Sequence, residues 1–265
     1  MLREAGDPPA AAAIKNGDDM EAKRLVIELE SVDSTNSYIR DHPGLWERQF
    51  CAVIAREQRA GRGRHGRRWH SAPGRDLTFS LLFIPPAPFP ELSCVTVIAG
   101  LAAYRTLLPR LGEGLRLKWP NDIIHGGKKI GGILCEMFET GERPAVIIGI
   151  GINVNSVGFP DGLDAATSLK IATGEKQDIR ALFNEILASL TGLLSEFSGP
   201  LDGRIRGEWE AASLSIGARV RYAGPKGMRG GVAIGINHDG SLLIRDDEEG
   251  VVAACGGEAL FEDDE

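Results

Sequence analysis

The stretch KKIGGILCEMFETGERPAVIIGIGINVN, Lys128 to Asn155, sets the reading of this chain. Ile130–Met137 and Ala145–Ile150 are short runs rich in β-branched and apolar residues, and they predict two strands. Gly126-Gly127 reads as a turn between Ile124 and Lys128. Glycines without side chains at 131 and 132 let a ligand approach the backbone, and at 149–155 apolar residues alternate with glycines before two amides.

Working outward, Leu115–Lys118 is a further strand, and Glu91–Leu108 is a helix with apolar residues at Leu92, Val95, Ile98, Ala99, Ala102 and Leu107. Leu77–Ile84 is almost wholly apolar, as a strand covered on both faces should be, and Pro85 to Pro90 ends it. Arg24–Glu30 and Cys51–Ala55 are shorter strands. Between them, Asp33-Ser34-Thr35-Asn36 can cap a helix running to about Arg40. A second long helix is expected at Ile179–Phe197. Strands feeding helices, then paired strands, point to an α/β or α+β domain with a mixed sheet.

From Gly217 the character changes. Short β-prone runs at 218–222, 231–236, 241–245 and 251–254, separated by Gly, Pro and Asp, predict a small barrel. The boundary falls near Ser213 to Ile216. The layout is a loose tail over 1–23 with one helical turn around Ala10 to Ile14, a catalytic domain over 24–214, and the barrel over 215–265.

Composition limits the function. The chain has 265 residues, 43% of hydrophobic type, and a formal charge of −7 from 37 acidic against 30 basic residues. Such a chain should not be drawn as a whole to nucleic acid or anionic membrane. Its four cysteines, at 51, 94, 135 and 255, lack metal-site spacing and read as reduced thiols. With no apolar run of membrane-spanning length and no leader pattern at MLREAGDPPA, a cytoplasmic protein is expected.

Residues 56–75 hold seven arginines and the glycines at 61, 63, 66 and 74, which predicts a long functional loop. Gly61-Arg62-Gly63-Arg64-His65-Gly66 formally fits G-x-G-x-x-G, but Gln58-Arg59-Ala60 separates it from the preceding strand and no apolar helix follows. The dinucleotide reading fails on that context. Guanidinium groups on a flexible backbone instead suit phosphate or carboxylate. Trp69, at the end of the loop, needs something to cover, such as a base. Lys118-Trp119-Pro120-Asn121-Asp122 follows a strand end, where ligands of α/β sheets lie.

Taken in order, these motifs resemble the biotin protein ligase family, also called biotin–[acetyl-CoA-carboxylase] ligase. The likeness runs over residues 25 to 260: Asp33 to Asn36, Gln58 with GRGRHGRRW at 61–69, KWPND at 118–122, KKIGGIL at 128–134, and GIGINVN at 149–155. It implies an α+β catalytic core like that of class II aminoacyl-tRNA synthetases and an SH3-like C-terminal barrel. It also implies ATP with Mg2+, biotin as substrate, and the lysine of a biotin carboxyl carrier domain as acceptor.

By the same resemblance, Ser34, Thr35, Asn36 and Gln58 hold the rings of biotin, with Gly132 beside them. Arg62, Gly63 and Arg64 close over the biotinyl-adenylate. Lys129 contacts the reacting carboxylate and phosphate, and it is the expected catalytic residue with Arg62 and Arg64. Trp69, Asn121 and Asn153 lie at the nucleotide. No metal ligand and no general base is named. His65 and Gly131 depart from the common Arg and Ala of relatives. Family members occur as monomers and as homodimers. The short tail predicts the form without a helix-turn-helix domain. A lipoate ligase shares the adenylate chemistry, and a nucleic-acid module is the reading from another class.

Overall fold

The computed structural model describes residues 25–86, 91–141, 143–163, 165–224, 227–248, 250–255 and 259–261. The tail over 1–23 and its helical turn lie outside the described residues.

Seven strands form the larger sheet: β1 Val26–Leu29, β2 Ala52–Ala55, β3 Leu77–Phe83, β4 Leu115–Lys118, β5 Asp122–His125, β6 Lys128–Glu139 and β7 Pro144–Ile152. Their order is β1-β2-β3-β7-β6-β5-β4. Only the β1–β2 pair is parallel, which makes the sheet mixed as expected. Gly126 and Gly127 have φ of 57° and 77°, the left-handed backbone that a tight β5–β6 turn requires.

The two faces of the sheet differ in kind. On one, the odd residues of β3 (Leu77, Phe79, Leu81, Phe83) and the even residues of β7 (Val146, Ile148, Ile150, Ile152) enter the main core. The helices α2 (Leu92–Leu111) and α4 (Ile179–Glu196) cover that face. Asp178 caps α4 by accepting from Arg180 N at 2.8 Å and Ala181 N at 3.1 Å. Leu182, Phe183, Ile186, Leu187 and Leu190 then recur at helical spacing and are buried. Phe183 meets Phe79 edge to face at 5.1 Å; burying one such ring contributes roughly 1.5–3 kcal/mol.

On the other face a small cluster of Ile39, Cys51, Val53, Leu82, Ala145 and Ile147 holds α1 (Thr35–Arg40) at the β2–β3–β7 side. Elsewhere on this face Gly132, Gly149 and Gly151 leave room for side chains from other segments.

The span Leu92–Gly114, though interrupted by Arg105 and Arg110, is long and apolar enough by composition to cross a membrane. Its apolar residues are spent on packing, since α2 lies between the sheet, α4 and the later helices. The remaining helices are α3 (Leu169–Thr173) and α5 (Gly203–Ala212). Neither was expected from sequence. Arg105 of α2 holds α5 by a fork on Glu208, with Nε to Oε1 at 2.7 Å, and this pairing keeps the Glu208 carboxyl below its usual range.

The C-terminal strands are β8 (Arg219–Gly224), β9 (Gly227–Ile236), β10 (Leu242–Asp246), β11 (Gly250–Ala254) and β12 (Ala259–Phe261). They form an antiparallel sheet in the order β11-β10-β9-β8-β12. Among the described residues no β11–β12 pairing closes it into the expected barrel.

Candidate functional site

The floor of the site follows from strand alternation. Because Ile148, Ile150 and Ile152 point into the core, Gly149 and Gly151 point the other way. A β-carbon on Gly149 would stand 2.5 Å from Asn36 Oδ1. One on Gly151 would enter the Trp69 ring. Gly132, opposite Gly151 in the ladder, lies under Trp69 and the Lys129 stem. Glycine at these positions makes room for side chains carried by other segments.

Those side chains form a polar group at one end. Ser34 caps α1, placing Thr35 and Asn36 in its first turn, where both are buried. Gln58 Oε1 accepts from Thr35 N at 2.8 Å and Thr35 Oγ1 at 3.1 Å. Its carbonyl is therefore engaged, while its Nε2 keeps donors for a ligand. Asn36 shows the opposite balance: Nδ2 donates to Leu134 O at 3.2 Å and Glu136 Oε2 at 2.7 Å. Ser80 Oγ lies 2.5 Å from Asn36 Oδ1 and 2.6 Å from Thr35 Oγ1. Asn36 thus has both donors spent and one acceptor site left on Oδ1.

Cations gather at the other end. The β5–β6 register shifts between Ile123 and Ile124, so Ile123 faces Gly131 but Ile124 faces Lys129. The extra residue, Ile130, is buried in the core. This bulge turns Lys129 onto the glycine face, where strict alternation from Gly131 would have sent it to the core. Lys129 Nζ pairs with Asp122 Oδ1 at 2.5 Å. Arg64 Nη1 reaches Asn121 Oδ1 at 3.3 Å. Burial pulls the Arg64 guanidinium below its usual pKa, with the Asp122 charge opposing that shift. Asn121 is itself fixed, donating Nδ2 to Ile133 O at 2.8 Å and accepting Ile133 N on its main-chain carbonyl at 2.9 Å.

Arg62 and Arg64 lie on the long loop expected over 56–75, which an isolated bridge folds back over 61–69 as a narrow hairpin. Arg62 bridges Arg68, Gly63 N donates to Arg67 O at 2.7 Å, and Trp69 N donates to Gly61 O at 2.9 Å. Gly61 is required there, since a β-carbon would stand 2.6 Å from Trp69 O. Asp76, buried just beyond, accepts from Ala72 N, Val154 N and Ser156 Oγ at 2.7–2.9 Å and pins the far end to the exit of β7. His65 takes the left-handed conformation at the tip.

The C-terminal sheet closes one side. Trp119 is a core residue, and its N donates to Ser215 Oγ at 2.8 Å and its Nε1 to Gly240 O at 3.2 Å. Phe261 of β12 stands at the cavity edge under the Lys118 ammonium, 5.5 Å from the ring centre.

A cavity of about 610 Å³ lies among these groups. Its wall includes all the residues singled out from sequence: Ser34, Thr35, Asn36, Gln58, Arg62, Gly63, Arg64, Trp69, Asn121, Lys129, Gly132 and Asn153. Asn153 donates Nδ2 to Thr167 O at 2.9 Å. Asn155, by contrast, is consumed in a clasp with Gln177. Sequence reasoning missed Ser80, Glu136 and Phe261. Two-residue spacing from Gly132 was the available signal for Glu136.

Comparison with known proteins agrees with this geometry. Residues 28–153, which contain every one of those twelve residues, match the biotin/lipoate A/B protein ligase family. The chain is 32% identical over 231 residues to the biotin–[acetyl-CoA-carboxylase] ligase of Paracoccus denitrificans, covering 82% of this chain and 92% of that protein. It is 40% identical over 200 residues to the bifunctional ligase/repressor BirA of Bacillus spizizenii, covering 74% of this chain. There the match spans 62% of the relative's length. Among solved structures, the biotin protein ligase of Aquifex aeolicus in complex with biotin and ATP superposes with a TM-score of 0.76 at 30% identity, covering 90% of this chain and 98% of that one. With its fold, its cavity and these relatives in agreement, the chain belongs to the biotin protein ligase family.

Proposed function

We propose that this protein is an ATP-dependent biotin protein ligase, which joins biotin and ATP into biotinyl-5'-AMP and transfers biotin to a lysine of a biotin carboxyl carrier domain. The observation that carries the reading is the division of one cavity into two chemistries. Gln58 Nε2 and Asn36 Oδ1 offer a donor and an acceptor, which suit the carbonyl and N–H groups of a cyclic urea. Arg64 and Lys129, held by Asn121 and Asp122 at the other end, and Arg62, which shares Glu136 with Asn36, suit the carboxylate and the α-phosphate.

Bringing those two anions within reacting distance costs Coulomb energy, which the three cations offset. A carboxylate oxygen attacks the α-phosphorus and pyrophosphate leaves. The carrier amine then attacks the carbonyl carbon, releasing AMP. Trp69, lying over Gly151 and Gly132, offers its exposed face to adenine. Mg2+ would accompany the phosphates, with the Asp122 carboxylate and the Asn153 amide oxygen as the hard donors on the cavity wall, and would neutralise the leaving pyrophosphate.

Residues 24–214 form the catalytic unit, a core of the class II synthetase kind, in this reading. Residues 215–265 form an SH3-like unit that supports the nucleotide side, and the protein works in the cytoplasm. The test is incubation with ATP, biotin and a carrier domain, followed by intact-mass measurement of the carrier. A carrier that gains no biotin would reject the proposal. A lipoate ligase is the second reading, because the same cations serve any acyl-adenylate; the polar ring-binding end weighs against it.

A further inference from the structure

We propose that Glu136 is a positioning residue: it sets the guanidinium of Arg62 for adenylation and ties closure of the arginine hairpin to the helix at the ring-binding end. The inference rests on the ligase reading above. Glu136 continues the alternation of β6 from Gly132 and Leu134 on the face that also carries Lys129. Its side chain is only 20% exposed.

Three segments converge on its carboxylate. Oε2 accepts from Arg62 Nη2 of the hairpin at 2.7 Å and from Asn36 Nδ2 of α1 at 2.7 Å. Oε1 accepts from Arg40 Nη2, one helical turn beyond Asn36, at 2.6 Å. One oxygen therefore joins the residue that offers an acceptor to the cyclic urea and the arginine that meets the carboxylate.

The charges do not balance without ligand. Two guanidinium groups share one carboxylate, leaving net positive charge beside the cavity. Among the described residues, Arg62 Nε is buried without a hydrogen-bond partner. A guanidinium is planar, so fixing Nη2 on Glu136 also limits where Nε can point. Buried donors are costly to leave unpaired. The Arg62 side chain as a whole is 37% exposed, so the rest of its planar fork is left to meet an entering carboxylate or phosphate oxygen, and Glu136 determines where that oxygen is met.

The glutamine variant separates positioning from packing. Its amide nitrogen cannot accept from Arg62, Asn36 or Arg40, while its shape is kept. Glu136→Gln should slow biotin-dependent ATP–pyrophosphate exchange about 10- to 100-fold. Glu136→Asp, which keeps the charge, should recover part of the loss. In an Arg62→Ala background, Glu136→Gln should change the rate less than about twofold, since residues acting through one another are not additive. An undiminished loss in that background would show that Glu136 acts by a route other than Arg62 and overturn the inference.

A second measurement needs no activity. Without ligand, Glu136→Gln should speed hydrogen exchange at the hairpin amides of Gly63 and Trp69, which bond to Arg67 O and Gly61 O. Unchanged exchange would also overturn it. A wild-type protein lacking biotin-dependent exchange counts against the ligase reading, and the hairpin measurement then decides this inference alone.

Discussion

Gly151 lies so close beneath Trp69 that a β-carbon on it would stand 2.4 Å from the indole Cε2. Gly149, two residues earlier on the same face, stands in the same relation to Asn36. The two glycines therefore serve different ends of one cavity. Gly151→Ala should displace Trp69 and weaken ATP binding, whereas Gly149→Ala should displace Asn36 and weaken biotin binding. Each loss should be about tenfold or more, or about 1.4 kcal/mol, by calorimetry. Equal losses for both ligands in both variants would refute this division.

Lys129→Ala should damage the chemical step more than biotin binding. Removing one preorganised cation from a site of developing charge costs about 2–4 kcal/mol. Rapid-quench measurement of adenylate formation should show that loss, with the biotin Kd little changed. A weakened Kd beside a normal rate would make Lys129 a uniform binding group.

Arg64→Gly should yield a leaky enzyme. Arg64 is a residue by which the hairpin reaches the Asn121 turn, and that contact is a single 3.3 Å hydrogen bond. Losing it, and the phosphate contact proposed for the same group, removes about 1.5–3 kcal/mol from closure. Adenylate should still form, escape on dilution faster than from wild type, and biotinylate bystander albumin. Retention at the wild-type rate would leave Arg64 as an ordinary binding residue.

Gln58→Ala should lower the preference for biotin over lipoate. The substitution removes the Nε2 donors and also frees the Thr35 groups that Gln58 Oε1 now satisfies. Calorimetry with both acids should show wild type favouring biotin strongly and the variant less so. Tighter binding of lipoate by wild type would overturn the substrate assignment.

The cysteines give a pH prediction. Burial pushes Cys51 up to about 11, and Cys94 and Cys135 up to about 12, from the usual 9.0. Raised folded values mean that the native state holds protons the unfolded chain releases. Their stabilising effect is thus complete below pH 9 and declines as pH rises from 9 toward 12. Denaturant midpoints should fall over that window, and less so in a Cys51→Ala, Cys94→Ala variant. At pH 8, alkylation of the native protein should mark the exposed Cys255 before the other three.

What could be read from sequence was mostly local. A cap within Asp33–Asn36, the Gly126-Gly127 turn and the Ile/Gly alternation of β7 each depend on neighbouring residues, and each agrees with the structure, which makes Ser34 the cap. Features set by distant pairing were not legible. The direction of Lys129 depends on a bulge that exists only once β5 and β6 align. Glu136 meets Arg62 and Asn36 across 74 and 100 residues. The hairpin at 61–69 is held by main-chain bonds that arginine and glycine do not announce. Similarly, α5 contains Gly203 and Gly207, poor helix formers, and is held by buried Trp209 and the Arg105 fork.

The two bonds from Trp119 to Ser215 and Gly240 bear on how small a working version of this protein can be. The turn that presents Asn121 and Asp122 rests, like a shelf, on Ile133 at one side and on a bracket of Ser215 and Gly240 at the other. Cutting the chain at 214 would leave every cavity residue up to Asn153 in place on paper, yet remove that bracket. Miniaturisation for use as a labelling tool therefore has to begin elsewhere, with the bracket kept whole.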